Sequence, residues 1–194
     1  SHFPLLTLHD GLHAQLRLYL LGKLDARLDR PGEASASAET LAEEPVSGLA
    51  EALVPHLLRD LTATAREGAG RHEEALRVRS AHTPAVWYQL AIGSPFFGGV
   101  EQRFRQALAL ETCGREREAI GWYASIAERS PWELPWKAPA ARQLAGIFER
   151  LGEAARAAEQ YRLFISLWQE ADEVLRPTVE DARARLAALM GRAA

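Results

Sequence analysis

The chain is short of the residues that staple, ligate or anchor a protein. Cys113 is its single cysteine in 194 residues, which excludes an intramolecular disulfide and fits a reducing, cytoplasmic compartment. Cys113 precedes Gly114 with neither His nor Lys beside it, so it reads as a structural thiol rather than a nucleophile. No apolar run approaches the ~20 residues of a membrane span, and no signal peptide opens the sequence. Lysine is almost absent, with only Lys23 and Lys137 present, while arginine, alanine and leucine are abundant. That bias is the mark of a GC-rich, bacterial genome. A net charge of −3 lacks the positive excess that draws nucleic acid or an anionic membrane surface, so neither is expected as a partner.

Catalytic signatures are missing too. His9 and His13 lie four apart, a spacing that places both on one helix face. A catalytic zinc needs a third protein ligand, however, and no HExxH motif supplies one. His56, His72 and His82 read as surface or packing residues. The glycine-rich GSPFFGG lacks the lysine and Ser/Thr of a phosphate loop, and its glycines read as turns around Phe96 and Phe97. No Ser-His-Asp or Cys-His order is present. The expectation is a protein without cofactor, metal or enzymatic activity.

What the chain does contain is a stretch written twice. ALALETCGREREAIGWYASIAERSP from Ala107 and AGIFERLGEAARAAEQYRLFISLWQ from Ala145 match at a spacing of 38 residues. Ala107 pairs with Ala145, Leu110 with Phe148, Gly114 with Gly152, Ala119 with Ala157, Tyr123 with Tyr161 and Ile126 with Phe164. Each copy reads as an apolar helix, a glycine turn and a second helix with a small residue at the contact. Glycine supplies positive φ where the first helix ends, and alanine lets the second helix approach.

Fainter copies precede these. Leu18, Leu21, Gly22, Ala34, Ala38 and Leu41 fill the small and large positions of one, with Pro31 just inside its second helix. ALVPHLLRDLTATAREGAGRHEEALRV carries another, with Gly68, Gly70, Glu74, Ala75 and Leu76 and a short second helix. The contact alanines Ala34, Ala75, Ala119 and Ala157 are 41, 44 and 38 residues apart. Two proline- and aromatic-rich stretches interrupt the pattern: Ser80 to Val100, and PWELPWKAP from Pro131 to Pro139. Both are expected as insertions whose aromatics fill gaps between units. Trp122 and Trp168 read as packing residues, and one of Trp132 and Trp136 as a candidate exposed anchor. A closing helix from near Pro177 carries an apolar stripe of Val179, Ala182, Leu186 and Leu189, backed by Glu180, Asp181, Arg183 and Arg185.

The order Ala107, Gly114, Ala119, Tyr123, Ile126, Pro131, repeated from Leu144 and Ala145 to Phe164, resembles the tetratricopeptide repeat (TPR). The last hundred residues resemble the C-terminal TPR region of large multidomain bacterial regulators, namely serine/threonine kinases and transcriptional activators. None of the kinase elements is present. The resemblance implies an all-α, TPR-like right-handed solenoid in one domain, residues 5–190. Its helix-turn-helix units number about four, at about 12–45, 46–79, 100–131 and 138–171, with an aromatic insertion at 80–99 and a capping helix at 177–190. Ser1 and His2 read as a cloning remnant and the abrupt start as the edge of a longer chain, with earlier repeats or another domain expected before Leu5.

In TPR arrays the first helix of each unit lines a concave groove. The groove positions carried onto this chain are Tyr19, Lys23 and Arg27; Asp60 and Thr64; Glu101, Phe104, Leu108 and Glu111; and Arg142, Glu149 and Arg150. Their mix of aromatic, acidic and basic groups suits a protein or peptide segment, including one from another domain of the parent chain. The expected function is a non-catalytic interaction module for scaffolding or regulation in a larger signalling protein. The alternative is a sensor of a small ligand or signal peptide, with Trp87 to Phe97 closing a pocket.

Overall fold

The computed structural model describes residues 12–46, 49–80, 99–127 and 131–192, the side chains of 49, 50, 52, 132 and 192 excepted. Among these residues the chain is all-α, with nine α-helices, two short 3-10 turns and no strand. The helices are α1 (His13–Arg27), α2 (Pro31–Glu43), α3 (Leu49–Gly68), α4 (His72–Ser80), α5 (Val100–Thr112), α6 (Glu116–Ala124), α7 (Leu134–Arg150), α8 (Ala154–Leu167) and α9 (Arg176–Arg192). The chain divides into two compact units, Ser1–Ala85 and Val86–Ala194.

In the first unit, α1 packs on α2 and α3, and α3 packs on α2 and α4. In the second, α5 packs on α6 and α7, α6 on α7, α7 on α8, and α8 on α9. One turn closes all four hairpins. An amide donates to the carbonyl five residues back at Arg30→Asp25 (2.9 Å), Arg71→Arg66 (2.8 Å), Arg115→Leu110 (2.8 Å) and Glu153→Phe148 (2.8 Å). This bond requires a left-handed residue just before the donor. Gly70, Gly114 and Gly152 provide it at φ of 74°, 73° and 75°, and Asp29 does so at 58°. Aspartate is among the few side chains that tolerate this region. The first hairpin therefore turns without the glycine that marks the other three.

The small residues behind these turns are buried: Gly22 and Ala34, Ala63 and Ala75, Ala107 and Ala119, Ala145 and Ala157. Around them lie Leu41, Leu57, Leu61 and Leu76 in the first unit, and Tyr123, Ile147, Phe148 and Phe164 in the second. Of the expected stripe of α9, Val179, Ala182 and Leu189 are buried and Leu186 is half-buried, while Glu180, Asp181, Arg183 and Arg185 are exposed.

Two expectations need correction. PWELPWKAP is not an insertion throughout: Pro131–Glu133 forms a 3-10 turn, and Leu134 to Pro139 are the opening turns of α7. Pro135 sits in the first turn, where a missing N–H costs nothing. Trp122 is 41% exposed rather than packed. The segment from Ala81 to Phe97, including His82 and Trp87, lies outside the described residues, as do His9, the Trp132 side chain and any start of the fold before Leu12.

Candidate functional site

The groove positions fall on the first helices of the hairpins, α1, α3, α5 and α7, and the two units use them differently. In the first unit four of them, Tyr19, Lys23, Asp60 and Thr64, are buried and joined by hydrogen bonds through Asp60. Tyr19 Oη and Lys23 Nζ both donate to Asp60 Oδ2 at 2.8 Å. Thr64 Oγ1 donates to the Asp60 carbonyl at 2.8 Å. Arg79, the next-to-last residue of α4, completes the cluster with its side chain only 5% exposed. Its Nη1 donates to Asp60 Oδ1 at 2.5 Å, its Nε and Nη2 to Glu67 at 2.9 and 3.1 Å, and Nη2 also to Thr64 Oγ1 at 3.2 Å. Among the described residues two carboxylates, Asp60 and Glu67, are bonded by one ammonium and one guanidinium. Burial opposes ionisation of Asp60, but Lys23 and Arg79 outweigh it and hold the carboxyl well below the usual carboxylate range. Burial likewise opposes the charge on Arg79, which Asp60 and Glu67 restore. Arg27, at the end of α1, is exposed.

In the second unit the positions stay near the surface. Phe104 is half-buried, its ring 5.3 Å from Tyr123 and 5.1 Å from Trp136, with Leu108 half-buried one turn on. Glu101 lies 3.7 Å from Arg105 on the same helix. Glu111 accepts from Tyr123 Oη at 3.0 Å and from Arg150 Nη2 at 2.6 Å, and Arg150 also donates to Glu116 at 2.5 Å. Glu149 repeats this arrangement with Tyr161 Oη at 2.8 Å and Arg185 Nη1 at 3.2 Å. Burial and the Glu149 carboxylate push the Tyr161 phenol up to about 12. Burial and Glu111 raise Tyr123 as well. Arg142 is exposed, 3.8 Å from Asp181.

Several functional-looking groups are absent from the groove set. Arg79 and Glu67 were not among the positions read from sequence, nor was Trp136 placed beside Phe104. Arg103 of α5 is buried against Glu133, with Arg103 Nη1 donating to the Ser125 carbonyl at 2.5 Å. Glu133 also accepts from the Ala127 amide at 2.8 Å, fixing the turn into α7. One signal was available in the sequence. Glu111 and Tyr123, and Glu149 and Tyr161, are each twelve apart, and the same count from Glu67 reaches Arg79.

Two open clefts of about 340 and 310 Å³ flank Trp168 at the turn from α8 to α9. Val179, Glu180 and Arg183 border the larger. Among the described residues no three His, Cys, Asp or Glu side chains gather as metal ligands, and no helix is long and apolar enough to cross a membrane. Cys113 is half-buried beside the turn glycine. No protein-family model, curated protein or solved structure matches the chain.

Proposed function

We propose that the chain is a TPR-like array of about four helical hairpins that binds a protein or peptide segment along its first helices, as a cytoplasmic regulatory or scaffolding module of a larger bacterial signalling protein. The observation that carries this reading is the recurrence of one hairpin: the same five-back turn bond, a left-handed residue at the same position and buried small residues at offsets of 41, 44 and 38. A hairpin of this kind buries its apolar face only against its neighbours, which is the logic of a solenoid.

The half-buried Phe104, Leu108 and Trp136 supply the apolar part of a peptide site, and Arg142 supplies exposed charge on α7. Aromatic anchors of this sort dominate interface energetics. Peptides selected from a displayed library on the intact chain test the reading. Phe104→Ala and Arg142→Glu are each expected to weaken the selected peptides about tenfold, roughly 1.4 kcal/mol, whereas Glu159→Ala on α8 leaves them unchanged. Selected peptides that bind all three variants equally would remove the groove from the reading.

A further inference from the structure

Three hairpins carry a glutamate at one position, Glu67, Glu111 and Glu149, and a donor twelve residues later that reaches back to it. In two of them the donor is a tyrosine. In the third it is Arg79, and its reach does not end at the glutamate. Four of the five guanidinium N–H groups meet oxygen: Nε and one Nη2 proton on the two Glu67 oxygens, the other Nη2 proton on Thr64 Oγ1, and Nη1 on Asp60 Oδ1.

Asp60 and Thr64 are held without help from Arg79, while Glu67 is bonded through it. The Thr64 hydroxyl spends its proton on the Asp60 carbonyl, which leaves its lone pairs towards the guanidinium. Tyr19 and Lys23 fix the other Asp60 oxygen. With Arg79 removed, the Asp60 and Glu67 carboxylates lose the positive charge that they share. The planar fork of a guanidinium fits such a divergent set of acceptors, whereas an ammonium meets them one at a time. Arg79 also stands in the last turn of a nine-residue helix, the part of a helix that frays first.

We propose that Asp60, Glu67 and Thr64 form a guanidinium-binding site that the chain fills with its own Arg79, and that an arginine side chain of a bound peptide takes that place when the last turn of α4 unwinds. The identity of the ligand rests on the peptide-binding reading above; the site itself does not. Arg79 is tethered beside its acceptors and competes at high effective concentration. A free arginine therefore leaves the native chain unchanged, and a peptide needs further contacts to displace Arg79.

The test is thermal unfolding of the full-length Arg79→Ala chain, titrated with methylguanidinium or with methylammonium at equal ionic strength. The midpoint is expected to fall on substitution, to rise saturably with millimolar methylguanidinium, and to ignore methylammonium, while the native chain responds to neither. Equal responses to the two cations, or none, overturn the site. Glycyl-arginyl-glycine is expected to restore the variant where glycyl-citrullyl-glycine does not. Rescue by methylguanidinium without rescue by the arginine peptide overturns the displacement alone. Should Arg79→Ala not fold, Arg79→Lys decides: a lowered midpoint supports the fork, and native stability overturns it.

Discussion

At the scale of single residues, a glycine's neighbours decide what it contributes. Gly22 lies in the body of α1 and is buried. A Cβ there would stand 2.7 and 2.9 Å from the Leu61 methyls and 2.9 Å from Ser37 Cβ. The leucine methyls can swing aside, but Ser37 Cβ moves only with α2. Overpacking of this kind costs about 1–3 kcal/mol, against the roughly 1 kcal/mol that alanine gains over glycine in a helix. Gly22→Ala is expected to lose on the order of 1 kcal/mol in urea unfolding. Gly121, exposed on α6, has nothing within 4 Å of its Cβ position, so Gly121→Ala is expected to gain about 0.5–1 kcal/mol. Tyr161 gives a second residue-scale prediction. Its phenol is pushed up to about 12, above the ~10 of an unfolded tyrosine. The stability this represents is present below pH ~10 and lost as pH rises through 12. Tyrosinate absorbance during alkaline titration is expected to show Tyr161 titrating late and Tyr123 later still, and Glu149→Gln is expected to bring the Tyr161 midpoint down by removing the adjacent charge.

Between elements, the cluster around Asp60 joins three helices, with Tyr19 and Lys23 from α1, Asp60, Thr64 and Glu67 from α3, and Arg79 from α4. Breaking a buried charge network by removing one partner costs about 3–5 kcal/mol, because the remaining charges stay buried and uncompensated. Asp60→Asn leaves Lys23 and Arg79 facing a neutral amide and is expected to lose stability on that scale at neutral pH. Because the folded Asp60 carboxyl lies below its unfolded value, its contribution is present above pH ~4 and disappears as pH falls through the depressed value. Urea midpoints measured down the acid limb are expected to fall for the native chain and to flatten for Asp60→Asn. The resemblance to the tetratricopeptide repeat put Tyr19, Lys23, Asp60 and Thr64 among the groove positions of the first helices, because it carries a register from hairpin to hairpin. It did not reveal that they bond to one another. Nor did it include Arg79, which completes the cluster from the position that the two hairpins of the second unit give to tyrosine and looks, in sequence, like one more surface arginine. The turn of the first hairpin was equally hidden, since Asp29 does the work of a glycine. The opening of α7 was obscured by prolines that normally mark a break.

Across the whole chain, what a residue contributes depends on whether its helix has a neighbour in front of it. Leu20 of α1 and Leu61 of α3 are 41 residues apart, the offset that relates the first two hairpins. Their side chains have opposite fates: Leu61 is 0% exposed and Leu20 is 48% exposed. The cause is visible at Gly22, where Leu61 packs into the space of the missing side chain, beside Ser37 of α2. The hairpin before α3 therefore covers Leu61, whereas Leu20, with Leu21 and Leu24 on α1 and Leu28 just beyond its end, is exposed among the described residues. Leu61→Ala is expected to cost about 2–5 kcal/mol, the toll of a cavity in a packed core. Leu20→Ala is expected to stay within about 0.5 kcal/mol, as for a surface change. Paired urea unfolding curves of the two variants check this directly, and equal losses would mean that α1 is covered in solution as α3 is. No reading of leucine spacing could have separated these two positions, because burial is conferred by the neighbouring hairpin rather than by the residue.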